Sequence, residues 1–506
     1  MARKQRKPAQ KTSRAAPSPD LIGTAQAAEE LGVSQATLRR WVKDGRVEAR
    51  KVGKQWRIRR SALGTVVAVQ DAPPSPASIP PHPGITRQAE RKLDALLASR
   101  GVTPDRVQKV VEDFDSAAAP LEGSDADIRR LMVKLLLNAV EARADDLHIE
   151  PMADSVRVRQ RVDGVLTEVT ALPAEIARPL ADEIKRWSKL NLAETRRSQD
   201  GRLLWNLEGR TIDIRLNVAP ALHGEVVAMR ILDRQAAFLP LTELGFEPDQ
   251  LTRWLRLIRT HQGLIIVTGP TAVGKTTTIY STLSELNRPD RKIMTAEDPV
   301  EFDIPGIDQM QSQPSIGMGF SQAAHAMLRQ AVDGMFIGEI RDGEVGELLC
   351  MAASTGHLVF STMHTNDAPS APIRLMEMGV EPYLIASNLI AVLAQRLVRC
   401  VCPYCKSEYR PSEKDLDTLG LKGDDRARTF YHGKGCKQCG MTGYRRRTAV
   451  YQLLEADGKV RAAIMNQNAA EIADAGRSSG WRPLREAALD KLFRGETTVE
   501  EVLRQT

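Results

Sequence analysis

Leu264-Ile-Ile-Val267-Thr-Gly269-Pro270-Thr271-Ala272-Val273-Gly274-Lys275-Thr276-Thr277 is the stretch from which the rest of the chain can be read. Residues 264–267 are a short apolar run rich in β-branched side chains, the mark of a buried strand, and a helical run begins at Thr277. Between them two glycines frame a loop whose backbone N–H groups can wrap phosphate oxygens, and the helix N-terminus adds positive potential. The Lys275 ammonium suits β- and γ-phosphate oxygens, and the Thr276 hydroxyl suits a magnesium ion. Gly269 to Thr277 therefore reads as a P-loop. Its position between strand and helix counts for as much as its spacing.

Downstream, apolar runs at 293–295, 335–337 and 358–361 alternate with helical stretches. This rhythm predicts a parallel sheet with helices on both faces over residues 239–398. The three runs end in ionisable residues: Glu297 and Asp298, Glu339, and His364. Ligands of open α/β sheets bind at the carboxyl ends of the strands, so these four join the P-loop as candidates. Glu339 closes Met335-Phe-Ile-Gly-Glu339 and is placed to polarise an attacking water.

Upstream, the alternation in Val156-Arg-Val158-Arg and Ile212-Asp-Ile214-Arg-Leu216 predicts strands, and 124–142 puts Ile128, Leu131, Leu135 and Val140 on one side of a helix. Residues 121–238 are expected to form an α+β domain. Residues 86–114 read as helical, and 71–84 hold six prolines in fourteen positions. The segment 66–120 is thus expected to be an extended linker and helical connector. Past 399 a Gly-, Lys- and Cys-rich region runs to 450, and 451–506 reads as helical.

At 506 residues the chain is too long for one core. Hydrophobic residues at 42% and charged residues at 27% are ordinary for folded proteins, which excludes general disorder. The longest uncharged stretches, 348–366 and 382–395, are too polar or too short to cross a bilayer. The start, MARKQRKPAQKTSR, has no apolar run behind it, so a cytoplasmic protein without a secretory signal is expected. Charge is lopsided: residues 1–62 hold sixteen Lys and Arg against five Asp and Glu, more excess than the net +7 of the whole chain. Nucleic acid is the partner such a basic module most often meets.

Four of the six cysteines form Cys402-x2-Cys405 and Cys436-x2-Cys439. In a reducing compartment paired knuckles of this spacing suit tetrahedral zinc.

Taken together, the P-loop, Ala-Glu297-Asp298-Pro-Val-Glu301, Ile337-Gly-Glu339-Ile-Arg341-Asp342 and Thr355-Gly-His357 through His364-Thr-Asn-Asp367 resemble the P-loop, Asp box, Walker B and His box of the hexameric ATPases of type II secretion and type IV pilus assembly. Ala144-Asp-Asp-Leu-His148, Gln199-Asp-Gly-Arg202, Asp213-Ile-Arg215 and Gly224 through Arg230 resemble that family's N-terminal domain. The resemblance spans about 121–506. It implies a RecA-like P-loop NTPase core preceded by an α+β domain and a zinc subdomain held by Cys402, Cys405, Cys436 and Cys439. It implies ATP hydrolysis with magnesium: Glu339 as catalytic carboxylate, Asp298 and Glu297 ordering metal and water, and His364 sensing nucleotide. Arg215 and Arg230 would act as arginine fingers. The implied partners are further copies in a homo-hexamer and an inner-membrane platform protein. Three departures stand out: Ala331-Val332 where the family has Asp-Pro, His325 in place of an arginine, and Ala272-Val273 where Ser-Gly is common.

After a basic arm at 1–18, residues 19–65 hold another pattern. Thr24 is placed to cap a helix at 25–31, Gly32-Val33 to turn, Ser34 to cap a second helix at 35–43, and 50–59 reads as a hairpin. This resembles the helix-turn-helix domain of excisionases and MerR-type regulators, which implies DNA contacts from Gln35, Thr37, Arg39, Arg40, Lys43 and Lys54. Three functions stay open: a secretion or pilus motor, a DNA-bound regulator switched by nucleotide, and a scaffold that binds nucleotide without turnover.

Overall fold

Residues 21–30, 38, 42, 49–52, 55–59, 85–117, 124–233 and 239–506 are described by the computed structural model, which divides into units Met1–Pro80 and Pro81–Thr506. In the first unit, strands β1 (Leu21–Gly23), β2 (Ala49–Val52) and β3 (Gln55–Arg59) form an antiparallel sheet in the order β1-β3-β2. The helix Thr24–Glu30 follows β1 directly. Ile22, Ala27, Ala28, Leu38, Val42 and Ile58 make a small core. Leu38 and Val42, four residues apart in the chain and both helical, are buried in it. The hairpin expected at 50–59 is β2–β3, whereas β1 is too short to show a period in sequence. Gln35, Thr37, Arg39, Arg40, Lys43 and Lys54 lie outside the described residues.

In the second unit, β4 (Ala144–Pro151), β5 (Ser155–Val162), β6 (Val165–Pro173), β7 (Gln199–Leu207), β8 (Arg210–Ala221) and β9 (Gly224–Asp233) form an antiparallel sheet in the order β6-β5-β4-β9-β8-β7. Alternation sends Leu147, Ile149, Val158, Ile212, Ile214, Leu216 and Met229 to one apolar face under the helices Ser124–Glu141 and Ala177–Trp187. The other face takes the alternate positions, including Asp146, His148, Arg159, Arg202, Asp213, Arg215 and Arg230. Residues 85–117 are helical, as 86–114 read in sequence, but they pack into a core and do more than connect. They form two helices, Ile85–Ser99 and Pro104–Ala117, whose Leu93, Leu97, Val107 and Val110 are buried in this same core. The apolar stripe was visible in sequence, but the surface it covers is not sequence-local. The break falls at Gly101, in the left-handed region at φ 82°.

The second sheet of this unit has seven strands: β10 (Gly263–Thr268), β11 (Ile293–Glu297), β12 (Asp308–Gln311), β13 (Gly334–Ile337), β14 (Leu358–Met363), β15 (Leu389–Val401) and, after the two short strands given below, β18 (Tyr444–Glu455). Their order is β12-β11-β13-β14-β10-β15-β18, parallel except for the β15–β18 pair. Leu264 and Ile266 pack under the helices Phe320–Met327 and Gly343–Ser354, while Ile265 and Val267 pack against Pro248–Ile258 and Lys275–Leu286. A strand covered on both faces needs apolar residues at every position, which is why this run shows no alternation.

β15 and β18 were not foreseen. Gln395, Arg396 and Arg399 interrupt the apolar run of β15, and its pairing partner lies some fifty residues away in the chain. The expected boundaries at 399 and 450 therefore cut through two paired strands. The cysteine region is an insertion between them, carrying β16 (Lys406–Tyr409) and β17 (Phe430–Gly433). Helices Gly458–Met465, Ala469–Ser478, Leu484–Phe493 and Val499–Gln505 complete the chain. Among the described residues no helix is long and apolar enough to cross a membrane.

Candidate nucleotide site and four-cysteine centre

Four neighbouring parallel strands, in the order β11-β13-β14-β10, deliver their carboxyl ends to one edge of the sheet. At the end of β10, Gly269 has φ 147°, and a Cβ there would lie 2.7 Å from the Gln395 carbonyl oxygen and 2.9 Å from Val273 Cγ2. Only glycine fits this close approach. Gly274, at φ 84°, opens the helix Lys275–Leu286, and Ala272 takes φ 60° without being glycine. Gln395 Nε2 on β15 donates to the Val273 carbonyl at 2.6 Å and pins the loop from the neighbouring strand. The result is a cradle of backbone at a helix N-terminus that fits a phosphate chain. Thr276 and Thr277 are half-buried in the first helical turn, while Pro270 and Thr271 are exposed. Lys275 Nζ donates to the carbonyls of Gly269 and Pro270 at 2.8 Å each. Burial pushes the Lys275 ammonium down to about 8, against the pull of the Glu339 charge.

From Lys275 a line of side chains runs along the strand ends. Lys275 Nζ is 3.4 Å from His364 Nδ1, and His364 Nε2 is 3.3 Å from Glu339 Oε2. An ammonium can only donate, so Nδ1 accepts and Nε2 carries the proton that points at Glu339. Arg341 Nε donates to Glu339 Oε1, and Arg341 Nη1 donates to Asp298 Oδ2 at 3.2 Å. Burial alone would raise the Glu339 carboxyl, but Arg341 and His364 outweigh it and hold the group below the usual carboxylate range. Lys275, at the start of the helix after β10, is thus brought together with His364, Glu339 and Asp298, which follow β14, β13 and β11.

Glu297 is not brought to that line. It is buried, its Oε1 accepting from Thr295 Oγ1 at 2.6 Å and Gln309 Nε2 at 3.0 Å, and its Oε2 from the Tyr280 hydroxyl. It anchors the base of the segment that carries Asp298.

Arg215 and Arg230 face each other across β8 and β9, with Arg202 opposite Arg215 on β7. Arg215 Nη2 donates to the Val300 carbonyl at 3.0 Å, and Nη1 lies 2.8 Å from Glu301 Oε2. The six-stranded sheet therefore meets the nucleotide sheet just past the end of β11. Arg230 Nε lies 3.4 Å from Asp146 Oδ1, and Arg202 is bidentate on the buried Asp213 at 2.9 and 2.5 Å. Sequence reasoning left Arg341, Glu301, Gln395 and Arg396 without roles. Arg341 and Glu301 lay inside stretches already singled out, and their ionisable side chains were signal enough. Gln395 and Arg396 were hidden because β15 was unrecognised. Arg396 Nη2 donates to the Asn366 carbonyl at 2.7 Å and so ties the loop after His364 to β15.

The four cysteines gather their sulfurs within 4.8 Å of one another. The Cys402–Cys436 and Cys405–Cys439 separations are 3.9 Å and Cys436–Cys439 is 3.7 Å. A tetrahedron of sulfurs about 2.3 Å from a zinc ion has edges of about 3.8 Å, so the donor set fits. Backbone N–H groups of Cys436 and Gly443 reach Cys439 Sγ at 3.2 and 3.3 Å. Cys400 stands apart, its thiol pushed up by burial to about 11.

A model of the family described as Type II/IV secretion system protein matches residues 122–504. The chain belongs to this family. Among its relatives, the type II secretion system protein E of Dickeya dadantii is 41% identical over 399 residues, covering 78% of this chain and 79% of that protein. The type II secretion system ATPase E of Vibrio cholerae is 40% identical over 81% of this chain and 82% of its own length. The type IV pilus assembly ATPase PilB of Thermus thermophilus is 41% identical over 78% of this chain, which spans 44% of that longer protein. The solved structure of Legionella pneumophila DotB superposes with a TM-score of 0.56 at 19% identity, over 74% of this chain and 94% of its own. The retraction motor PilT with bound ADP gives 0.52 at 23%, over 74% and 96%. These two likenesses are of fold, and that fold is the RecA-like α/β architecture of secretion ATPases. A second model, a helix-turn-helix domain, matches residues 21–64.

Proposed function

We propose that this secretion-family chain is an ATP-hydrolysing motor of the type II secretion and type IV pilus assembly class. It works as a homo-hexameric ring in the cytoplasm, docked on a platform protein at the inner face of the cytoplasmic membrane. The observation that carries this reading is the unbroken line Lys275–His364–Glu339–Arg341–Asp298 along four strand ends beside a phosphate cradle. The residues from Gly269 to Thr277 bind the phosphates, with Lys275 leaving the loop carbonyls for the β- and γ-oxygens. Thr276 and Asp298 would hold magnesium, which neutralises phosphate charge, and Glu297 keeps the Asp298 segment in place. Glu339 orients and polarises the attacking water, and His364, bridging Lys275 and Glu339, senses whether phosphate is present. Arg215 and Arg230 supply cationic charge to the γ-phosphoryl group as it leaves, which couples turnover to movement of the six-stranded sheet. Cys402, Cys405, Cys436 and Cys439 would hold zinc as a structural cross-link at the base of the β15–β18 pair.

Ala331, Val332 and His325 stand outside that line, so Lys275, His364, Glu339, Arg341 and Asp298 are all kept despite the departures. Steady-state hydrolysis by the full chain tests the reading. Lys275→Ala is expected to abolish nucleotide binding and turnover, and Glu339→Gln to keep binding while losing turnover. A wild-type chain that binds ATP without hydrolysing it overturns the motor. Metal analysis is expected to find one zinc per chain.

The helix-turn-helix match and the basic charge of residues 1–62 favour a second reading, in which the same ring is held on duplex DNA and switched by nucleotide. Each module would bind weakly alone, but several in one ring bind at high effective concentration. Retention on duplex DNA should then fall steeply with salt and disappear when residues 1–70 are removed. Retention that ignores both changes removes this reading.

A further inference from the structure

Both terminal nitrogens of Arg215 are already occupied. Nη1 lies 2.8 Å from Glu301 Oε2 and Nη2 donates to the Val300 carbonyl at 3.0 Å. These are the nitrogens that a guanidinium uses to take a phosphate bidentately. The ion pair is shielded, with side-chain exposures of 22% for Arg215 and 28% for Glu301, so solvent and salt screen it weakly. We propose that Glu301 is a positioning residue of the nucleotide site: with the Val300 carbonyl it seats Arg215 and competes with the terminal phosphate of the nucleotide for that guanidinium. The inference rests on the role given to Arg215 above.

Three observations tie the seat to the nucleotide sheet and leave Arg215 joined to it only by its tip. The Glu301 N–H donates to the Tyr280 hydroxyl at 3.2 Å, and that hydroxyl donates to the buried Glu297. Tyr280 is in turn packed edge-on against Phe302, with ring centroids 4.5 Å apart. The segment from Glu297 to Phe302 is therefore tied down through Tyr280, a residue of the helix that begins at Lys275. Arg215, by contrast, rides on β8 of the other sheet and reaches the seat only with its tip. Its neighbour Arg202 is committed to Asp213 on the same sheet by a bidentate pair and feels Glu301 only through its charge.

The electrostatics agree. Burial holds the Glu301 carboxyl above its ordinary value, and the charges of Arg215 and then Arg230 offset part of that rise. One carboxylate therefore faces both arginines assigned to the γ-phosphoryl group. The seat, Glu301 on Nη1 and the Val300 carbonyl on Nη2, and a phosphate cannot both hold the same two nitrogens, so the fraction of time that Arg215 spends seated subtracts from its availability to nucleotide. The far end of the same segment, Asp298, is held by Arg341, which also holds Glu339. The same segment therefore carries the seat for Arg215 at one end and a partner of Arg341 at the other.

The test measures steady-state ATP hydrolysis by the full-length chain, with the thermal midpoint recorded for each variant. Glu301→Gln keeps the backbone bond to Tyr280 but removes the charge. It is expected to raise kcat/KM for ATP on the order of ten-fold, the usual size of a coupling between two sites. In an Arg215→Ala background the same change is expected to do nothing, which a merely structural role for Glu301 would not produce. Glu301→Asp, which keeps the charge on a shorter arm, should fall between wild type and Gln, and it replaces the Gln variant if that one does not fold. A kcat/KM at or below wild type in the Gln variant, or in Asp if it stands in, overturns the seat. It leaves Arg215's role intact as long as Arg215→Ala is still crippled. If Arg215→Ala hydrolyses ATP like the wild type, the role given to Arg215 fails and the seat fails with it.

Discussion

The two large sheets use the same alternating geometry and put their chemistry in different places. In the six-stranded antiparallel sheet only one face is covered by helices, so alternate positions are apolar and the free face is left for Arg202, Arg215, Arg230 and their carboxylates. In the seven-stranded sheet the central strands β10, β13 and β14 are covered on both faces and are mainly apolar, so Glu339 and His364, like Asp298 after β11, sit just past the strand ends. A one-sided sheet offers a surface, and a two-sided sheet offers an edge. Here the surface of one meets the edge of the other through Arg215, Val300 and Glu301.

That contrast can be broken most sharply at neighbouring residues of β8. Arg215→Ala should lower kcat by about 10³–10⁵-fold, the usual worth of a guanidinium delivered to a transferring phosphoryl group, with little change in thermal midpoint. Ile214, one residue away on the buried face, should behave in the opposite way. Ile214→Ala is expected to cost about 2–5 kcal/mol in denaturant unfolding while the folded fraction keeps its turnover number. If both variants fail in the same manner, the two faces are not separate in function.

At the edge, the pH profile sharpens the comparison. Lys275 is a cation whose pKa in the free protein is lowered to about 8, so its charge is present below that pH and lost above it. The kcat/KM for ATP should therefore descend above about pH 8, whereas a flat profile to pH 9.5 would detach Lys275 from phosphate binding. The smallest effect concerns the loop itself. Ala272 holds φ 60°, a conformation that costs a non-glycine residue roughly 1 kcal/mol, so Ala272→Gly should leave stability the same or raise it by up to about that amount.

Much of the site was legible because its chemistry is sequence-local. Glycines that must take positive φ, a lysine and threonine at a helix start, and carboxylates just past apolar runs sit within a few residues of the elements that place them. Glu297 shows the limit of that logic. It stands beside Asp298 in the chain, yet alternation turns it inward to Tyr280, Thr295 and Gln309. The helices of residues 85–117 and the strand β15 show another. Their apolar residues were visible, but the surfaces they cover come from segments distant in the chain.

By itself the sequence determined the phosphate loop, the parallel sheet with ionisable strand ends, the cysteine knuckles and the basic helix-turn-helix module, because each depends on spacing along one short segment. Only the tertiary structure decided that β11, β13, β14 and β10 stand side by side, so that Lys275, His364, Glu339, Arg341 and Asp298 form one line. It alone brought Gln395 under the loop and Arg215 onto Glu301. Strand order and the meeting of two sheets are set by which buried faces pack together, and that packing sums over the whole core rather than over any one stretch of residues.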